Sequence, residues 1–228
     1  MLSAIILAAG AGKRLGSSVP KPLVKIGKKP AIIYLLKEFD KHPDIDEIIV
    51  VVSAQNKGKI AQALKKYSFK KIKVLSLGGK RRQDSVRNGL GAVSQSCTWV
   101  LIHDSARPFI NAKLIKEVIS EAYKTGAAIL GVPVKATIKS VKKDLLIDKT
   151  ADRDSLWEIQ TPQVFKKELI CQAYNKFSQE NFTDDASLVE KLGKRIKLVR
   201  GSYENIKITT QEDLLLAGLI AKRYNYAV

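Results

Sequence analysis

Six short apolar runs punctuate the chain: SAIILAA (3–9), DEIIVVVS (46–53), KIKVLSL (71–77), TWVLIHD (98–104), AAILGVPV (127–134) and RIKLVRG (195–201). Each is too apolar for a strand with one wet face, so each reads as a strand buried on both sides, as in a parallel sheet covered by crossover helices. The stretches between supply those helices. AIIYLLKEF (31–39), KIAQALKKY (59–67), SVRNGLGAV (85–93) and LIKEVISEAY (114–123) repeat apolar residues at helical spacing. A last helix starts within TTQEDLLLAGLIAK, where Thr209 or Thr210 can cap and the acids suit the first turn. This order predicts a Rossmann-like α/β fold: a mainly parallel twisted sheet with helices on both faces.

One segment breaks the alternation. KATIKSVKKDLLIDKTADRDSLWEI (135–159) holds two extended pieces around KKD and little apolar surface of its own, so it reads as a projecting β-hairpin arm. No internal repeat or linker divides the 228 residues, and a single domain, 1–228, carrying that arm is expected. A hydrophobic fraction of 45% is enough for a full core. No apolar run approaches the roughly eighteen residues of a membrane span, and MLSAIILAAGAG lacks a basic leader, so neither a membrane nor an export signal is expected. Cys97 and Cys171 have no CxxC spacing and no histidine cluster, which suits a reducing, cytoplasmic setting. The net charge of +18 is spread over nearly every helix and loop, without an aromatic-interleaved stripe. It reads as a solvated lysine-rich surface rather than a nucleic-acid face.

The chemistry begins after the first strand. LAAGAGKRLGSSVPKPL (7–23) leaves an apolar strand for three glycines, an adjacent Lys-Arg pair and a further lysine. It is not a P-loop, because Gly16 is followed by Ser17 rather than Lys-Ser or Lys-Thr, and Gly10, Gly12 and Gly16 are one residue too widely spaced for the dinucleotide fingerprint. Backbone N–H groups together with Lys13, Arg14 and Lys21 are what a triphosphate of about four negative charges requires. A glycine turn with solvated lysines is the competing reading of the loop alone.

The loop resembles those of nucleotidyltransferases that join a nucleoside monophosphate to a phosphorylated small molecule. With GGKRRQDSVRNGL (78–90), VLIHDSARPF (100–109), LWEIQTPQVF (156–165), TDDASLVEKLG (183–193) and NIKITTQEDL (205–214), in that order and spacing, the chain resembles the 2-C-methyl-D-erythritol 4-phosphate cytidylyltransferases over almost its whole length. The resemblance implies transfer of CMP from CTP to methylerythritol phosphate in non-mevalonate isoprenoid synthesis, with pyrophosphate leaving. It also implies a divalent cation, Mg²⁺, held mainly by the CTP phosphates rather than by a preformed protein site, and a homodimer joined through the arm. One departure is visible: Lys21-Pro22-Leu23 stands where the family usually has Lys-Gln and an aromatic.

Carried over by motif, Arg14 and Lys21 stabilise the transition state, while Arg153 and Lys207 orient the methylerythritol phosphate. CTP is expected at Ala8, Ala9, Gly10, Gly12, Lys13, Gly79, Lys80, Ser85, Asp104 and Ser105, with Asp104 near the ribose and the metal-bound phosphates. Arg107, Thr137, Thr161 and Thr183 complete the expected substrate contacts. Lys207, in NIKI, would be awkward in a buried strand, and a ligand at the strand end removes that conflict. His103 neighbours Asp104 but alternation points it to the other face, as a packed neutral histidine. A ribitol 5-phosphate cytidylyltransferase and a basic RNA-binding protein on the same scaffold are the rival readings.

Overall fold

A computed structural model describes residues 1–10, 15 and 19–224. Strand β1 (Leu2–Ala8) enters the glycine loop, and the short pair β2 (Lys25–Ile26) and β3 (Lys29–Pro30) leads into α1 (Ala31–Lys41). Strand and helix then alternate through β4 (Glu47–Val52), α2 (Lys57–Leu64), β5 (Ile72–Leu77), α3 (Arg82–Ala92), β6 (Trp99–Asp104), α4 (Ala112–Thr125) and β7 (Ala127–Pro133). The hairpin strands β8 (Lys139–Val141) and β9 (Ile147–Thr150) follow. The chain ends with β10 (Trp157–Lys166), α5 (Lys167–Lys176), α6 (Asp185–Lys191), β11 (Lys197–Arg200) and α7 (Gln211–Arg223).

The main sheet has the order β11-β7-β10-β6-β1-β4-β5, and every neighbouring pair is parallel except those made by β10. The order follows from the apolar runs. β4 is buried at all six positions and lies beside β1, which is buried at all but one. The chain moves from β1 outward to β4 and β5, then crosses to β6 on the other side of β1. That reversal makes the C-terminal end of β1 the switch point, where open α/β sheets leave a crevice for ligands. One core packs α1 and α4 on one face of the sheet around Phe39, Leu36, Ile115 and Val118. A second packs α3, α5 and α6 on the other, around Ile5, Val86, Phe165 and Ile170.

Helix ends are fixed as the sequence chemistry dictates. Asn111 Oδ1 accepts from Leu114 N at 2.9 Å to start α4, and Gly126 closes it at φ 87, a left-handed conformation glycine adopts without strain. Thr210 caps α7 in a capping box with Asp213.

Three expectations are corrected. The outer strands β5 and β11 are edges, with Lys73, Val74, Leu77, Lys197 and Arg200 exposed, so burial on both faces holds only for the inner strands. LWEIQTPQVF, read only as a motif, forms the antiparallel strand β10, inside the sheet between β7 and β6. NIKI is a loop, and Lys207 stands exposed rather than in a strand.

Because β10 runs against its neighbours, it starts at the edge where β7 ends: Trp157 pairs with Pro133. The arm between them therefore projects from the same edge of the sheet as the crevice. Its strands β8 and β9 pair antiparallel, and their side chains are exposed throughout.

Candidate active site

The crevice has one wall from the end of β1 and one from the entry to α3. Ser85, on the first turn of α3, accepts from Gly79 N at 3.1 Å and donates to Arg81 O at 3.2 Å, which folds residues 78–81 over the helix start. A Cβ at Gly79 would lie 2.3 Å from the Cβ of Asp84, so this close turn requires glycine. The cavity left between the walls is about 400 Å³. Ala9, Gly10, Gly79, Lys80, Ser85, Asp104 and Ser105, the residues that the resemblance gives to the nucleotide, line this one cavity together, and so does Lys21. Lys21–Leu23 form a single 3₁₀ turn with Pro22 buried against the cavity, which is how the unusual Lys-Pro-Leu fits. Ala8 differs: its side chain is fully buried in the core behind the wall. Gly12, Lys13 and Arg14 lie outside the described residues.

A second hollow of about 410 Å³ adjoins the first and shares Arg82, Asp104 and Lys207 with it. The register of β10 against β7 shifts between Gln160 and Gln163, which frees Thr161 from the ladder. Its Oγ1 instead accepts from Asp104 N at 3.1 Å and pairs with His103 Nδ1 at 3.0 Å. Arg107 and Thr183 also line this hollow, together with Lys207. Arg107 is 5% exposed, and its guanidinium donates to the carbonyls of Asn205 (2.7 Å) and Ile159 (3.2 Å), while Nε has no partner among the described residues. Burial pulls its pKa down, with Asp104 and Glu158 opposing. An arginine anchored by carbonyls instead of a bonded carboxylate keeps its charge available to an anion.

Asp104 is the electrostatic centre. Its Oδ2 lies 2.6 Å from Lys207 Nζ and its Oδ1 3.3 Å from Arg82 Nε. Burial alone would raise its pKa, but Arg82 and Lys207 outweigh burial and hold the carboxyl well below the usual carboxylate range. Arg82 also donates through Nη2 to Asp185 Oδ2 at 2.8 Å. Burial disfavours its charge, yet Asp185 and Asp104 together raise its pKa. His103 is fully buried against Phe39 of α1, ring centroids 5.2 Å apart, and Nε2 pairs with Arg107 O at 3.0 Å. Burial lowers its pKa to about 4, so it is the packed neutral imidazole expected from strand alternation.

Thr137 and Arg153 are not brought to either hollow. Both are exposed on the arm, and Arg153 lines a separate surface depression with Lys135 and Trp157, its Nη1 donating to Lys135 O at 3.2 Å. The sequence reading missed Arg82 and Asp185. GGKRRQDS offers three consecutive cations with no means of telling which turns inward; Arg81 is tied to Asp84 at the surface, and Arg82 points in.

A crevice at the switch point lined by Lys21, Lys80 and Arg82, meeting a second hollow that shares Arg82 and Lys207 with it, suits a class of enzyme that joins two phosphorylated substrates, the nucleotidyltransferases. Comparison with known proteins agrees. The family profile described as 2-C-methyl-D-erythritol 4-phosphate cytidylyltransferase matches residues 2–223, so the chain belongs to that family. The protein of that name from Alkaliphilus metalliredigens is 43% identical over 228 residues, covering 97% of this chain and 94% of that protein. Its namesake from Caldanaerobacter subterraneus subsp. tengcongensis is 46% identical over 225 residues, covering 97% and 99%. Among solved structures, the 4-diphosphocytidyl-2C-methyl-D-erythritol synthase of Anaerococcus prevotii superposes with a TM-score of 0.87 at 35% identity, covering 97% of this chain and 96% of that one. As a member of this family the chain is a transferase of isoprenoid precursor biosynthesis.

Proposed function

We propose that the chain transfers the cytidylyl group of CTP to the 4-phosphate of 2-C-methyl-D-erythritol 4-phosphate, the first hollow taking CTP and the second the sugar-alcohol phosphate. The observation that carries this assignment is the meeting of the two hollows at Arg82, Asp104 and Lys207. A phosphate monoester has a second pKa near 6 and is largely a dianion at about pH 7, already nucleophilic. One of its oxygens forms a bond to the α-phosphorus of CTP as the bond to the bridging oxygen breaks and pyrophosphate leaves. Catalysis is then positioning and charge neutralisation, with no proton to remove. Lys21, at the mouth of the CTP hollow, and Arg14 stabilise charge on the α-phosphate oxygens, while Lys207 and Arg107 hold the attacking phosphate. Gly79, Ser85 and Ala9 leave a close-fitting slot for the pyrimidine.

Among the described residues no group of three or more His, Cys, Asp or Glu side chains could hold a metal ion. Asp104 is the one carboxylate lining the CTP hollow among the described residues, and it is engaged by Lys207 and Arg82. That donor set fits Mg²⁺ brought in on the phosphates, with Asp104 as a single protein ligand. When bound, the cation supplies neutralisation of the triphosphate. Arg153 and Thr137 reach a site only if the arm crosses to a second copy, so the working unit in this reading is a homodimer. No described helix is long and apolar enough to cross a membrane, and Cys97 and Cys171 are free thiols, which suits the cytoplasm.

The test is pyrophosphate release from CTP with methylerythritol phosphate and ribitol 5-phosphate side by side. Turnover with the first is expected to exceed that with the second; the reverse preference would move the chain to the pentitol phosphate enzymes, and salt-sensitive RNA retention on filters without turnover would favour the RNA-binding reading.

A further inference from the structure

Asp185 is a carboxylate with no exposed side-chain surface, at the first position of α6. It lines neither hollow, and the reaction described above gives it nothing to do. Placing a carboxylate there is costly unless its oxygens are fully engaged. Both are: Oδ2 accepts from Arg82 Nη2 at 2.8 Å, and Oδ1 accepts from the buried hydroxyl of Tyr174 at 2.6 Å. Burial, then the Asp185 charge, pushes the Tyr174 pKa up, so that hydroxyl stays a donor. The start of α6 is itself pinned to β10, because Gln163 donates to Asp184 Oδ2 (2.8 Å) and accepts from Ala186 N (3.1 Å).

Arg82 is the beneficiary. It stands where the two hollows join, lining both, and Asp104 alone holds it only loosely, at 3.3 Å. Asp104 is also bonded to Lys207, so without a second anchor the guanidinium could swing with either partner. Asp185 supplies that anchor from the side away from solvent, through a pair that Tyr174 locks in turn.

We propose that Asp185, fixed by Tyr174, is a positioning residue that holds Arg82 on the seam between the hollows, where one guanidinium serves both substrate phosphates. This rests on the two-hollow reading of the site. Two polyanions must approach within bonding distance, and a cation shared between them lowers that repulsion only if it cannot follow one of them away.

Asp185→Asn removes the charge while keeping the shape and an acceptor for Tyr174. With whichever acceptor phosphate supports turnover in the unaltered protein, kcat is expected to fall by roughly tenfold to a hundredfold, measured well below the variant's own unfolding midpoint. Tyr174→Phe leaves the ion pair in place and is expected to lower kcat in the same direction by less. Arg82→Gln should carry at least the loss of Asp185→Asn, and the double variant should be no worse than Arg82→Gln alone. If turnover of Arg82→Gln falls below detection, calorimetric titration with CTP completes the same cycle. A buttress for the packing of α6 would instead lower the unfolding midpoint of Asp185→Asn and leave kcat of the folded protein intact. That result, or losses that add in the double variant, overturns the proposal. Because the acceptor is chosen by the wild-type assay, failure here is distinct from a wrong substrate assignment.

Discussion

Lys207 Nζ and Asp104 Oδ2 stand 2.6 Å apart although they lie 103 positions apart in the chain. The pair closes the boundary between the two hollows, tying the loop before α7 to the end of β6. It keeps Asp104 ionised: burial favours the neutral acid, and the cations Arg82 and Lys207 reverse that preference. Lys207→Met should therefore do two things. It should lower kcat/KM for the sugar-alcohol phosphate by about a hundredfold, as loss of a charged contact to a reacting phosphate does. It should also raise the Asp104 pKa from its depressed value, while the acid limb of the pH–rate profile stays at the second pKa of the substrate phosphate, about 6. An acid limb that moves to higher pH in the variant would show that Asp104, and not the substrate phosphate, sets that limb.

Lys21 lines the first hollow beside Gly10 and Pro22. If it acts on charge that develops in the transition state, Lys21→Ala lowers kcat by on the order of a hundredfold or more, while the dissociation constant for CTP changes far less. Single-turnover kinetics and equilibrium titration separate the two. A defect confined to CTP affinity would make Lys21 a ground-state anchor.

The close turn at Gly79 gives a selectivity prediction. Gly79 and Ser85 are drawn together by the 3.1 Å bond from Gly79 N, and a Cβ at Gly79 meets Asp84 at 2.3 Å. CTP should be used well above ATP and GTP, whose purines need more room, and Gly79→Ala should raise KM for CTP with a smaller effect on kcat. Equal rates with ATP and CTP would remove the cytidylyl assignment.

How much of this was legible in the sequence differs by element for physical reasons. β1, β4, β6 and β7 announced themselves because burial on both faces demands unbroken apolar runs. β10 did not, because it carries the site: Gln160, Thr161 and Gln163 are buried polar residues that hold Asn205, Asp104 and the start of α6. Polar atoms in a central strand look like a loop until their partners are known. The seven-residue α6 is too short to show a period. The Arg82–Asp185 pair spans 103 residues, and no local pattern couples them. Asp104, by contrast, could be placed at the ligand edge because it ends an apolar strand.

His103 predicts a stability change with pH. Its pKa falls from 6.5 to about 4 in the folded chain because burial excludes the charged form. The unfolded chain then binds more protons than the folded one between those values, so stability is complete above about pH 6.5 and is lost as pH drops toward 4, by about 3 kcal/mol from this group. His42 is also buried and its pKa also lowered, so it adds in the same direction. Urea unfolding at pH 7.5 and pH 5 should show the loss, and His103→Gln, though less stable at pH 7.5, should lose less between the two. An equal pH dependence in the variant would mean that other groups carry the effect.

The arm predicts shared active sites. Leu145, Leu146 and Ile147 at its tip are 82%, 63% and 63% exposed, an apolar cluster that a lone chain leaves in water. Among the described residues, none lining the two hollows comes from 135–155, although the resemblance places Thr137 and Arg153 at the substrate. Crossing of the arms in a two-fold dimer reconciles these facts, with each site taking Lys21 from one chain and Arg153 from the other. Lys21→Ala chains mixed with Arg153→Ala chains, under conditions that allow exchange, then form hybrid dimers in which one site carries both lesions and the other neither. Random pairing makes half the dimers hybrid, each with one intact site, so roughly a quarter of wild-type turnover should return. Exchange is followed independently by native mass spectrometry of a tagged chain. Mixtures that exchange freely and stay inactive would show that Arg153 serves its own chain's site, or none.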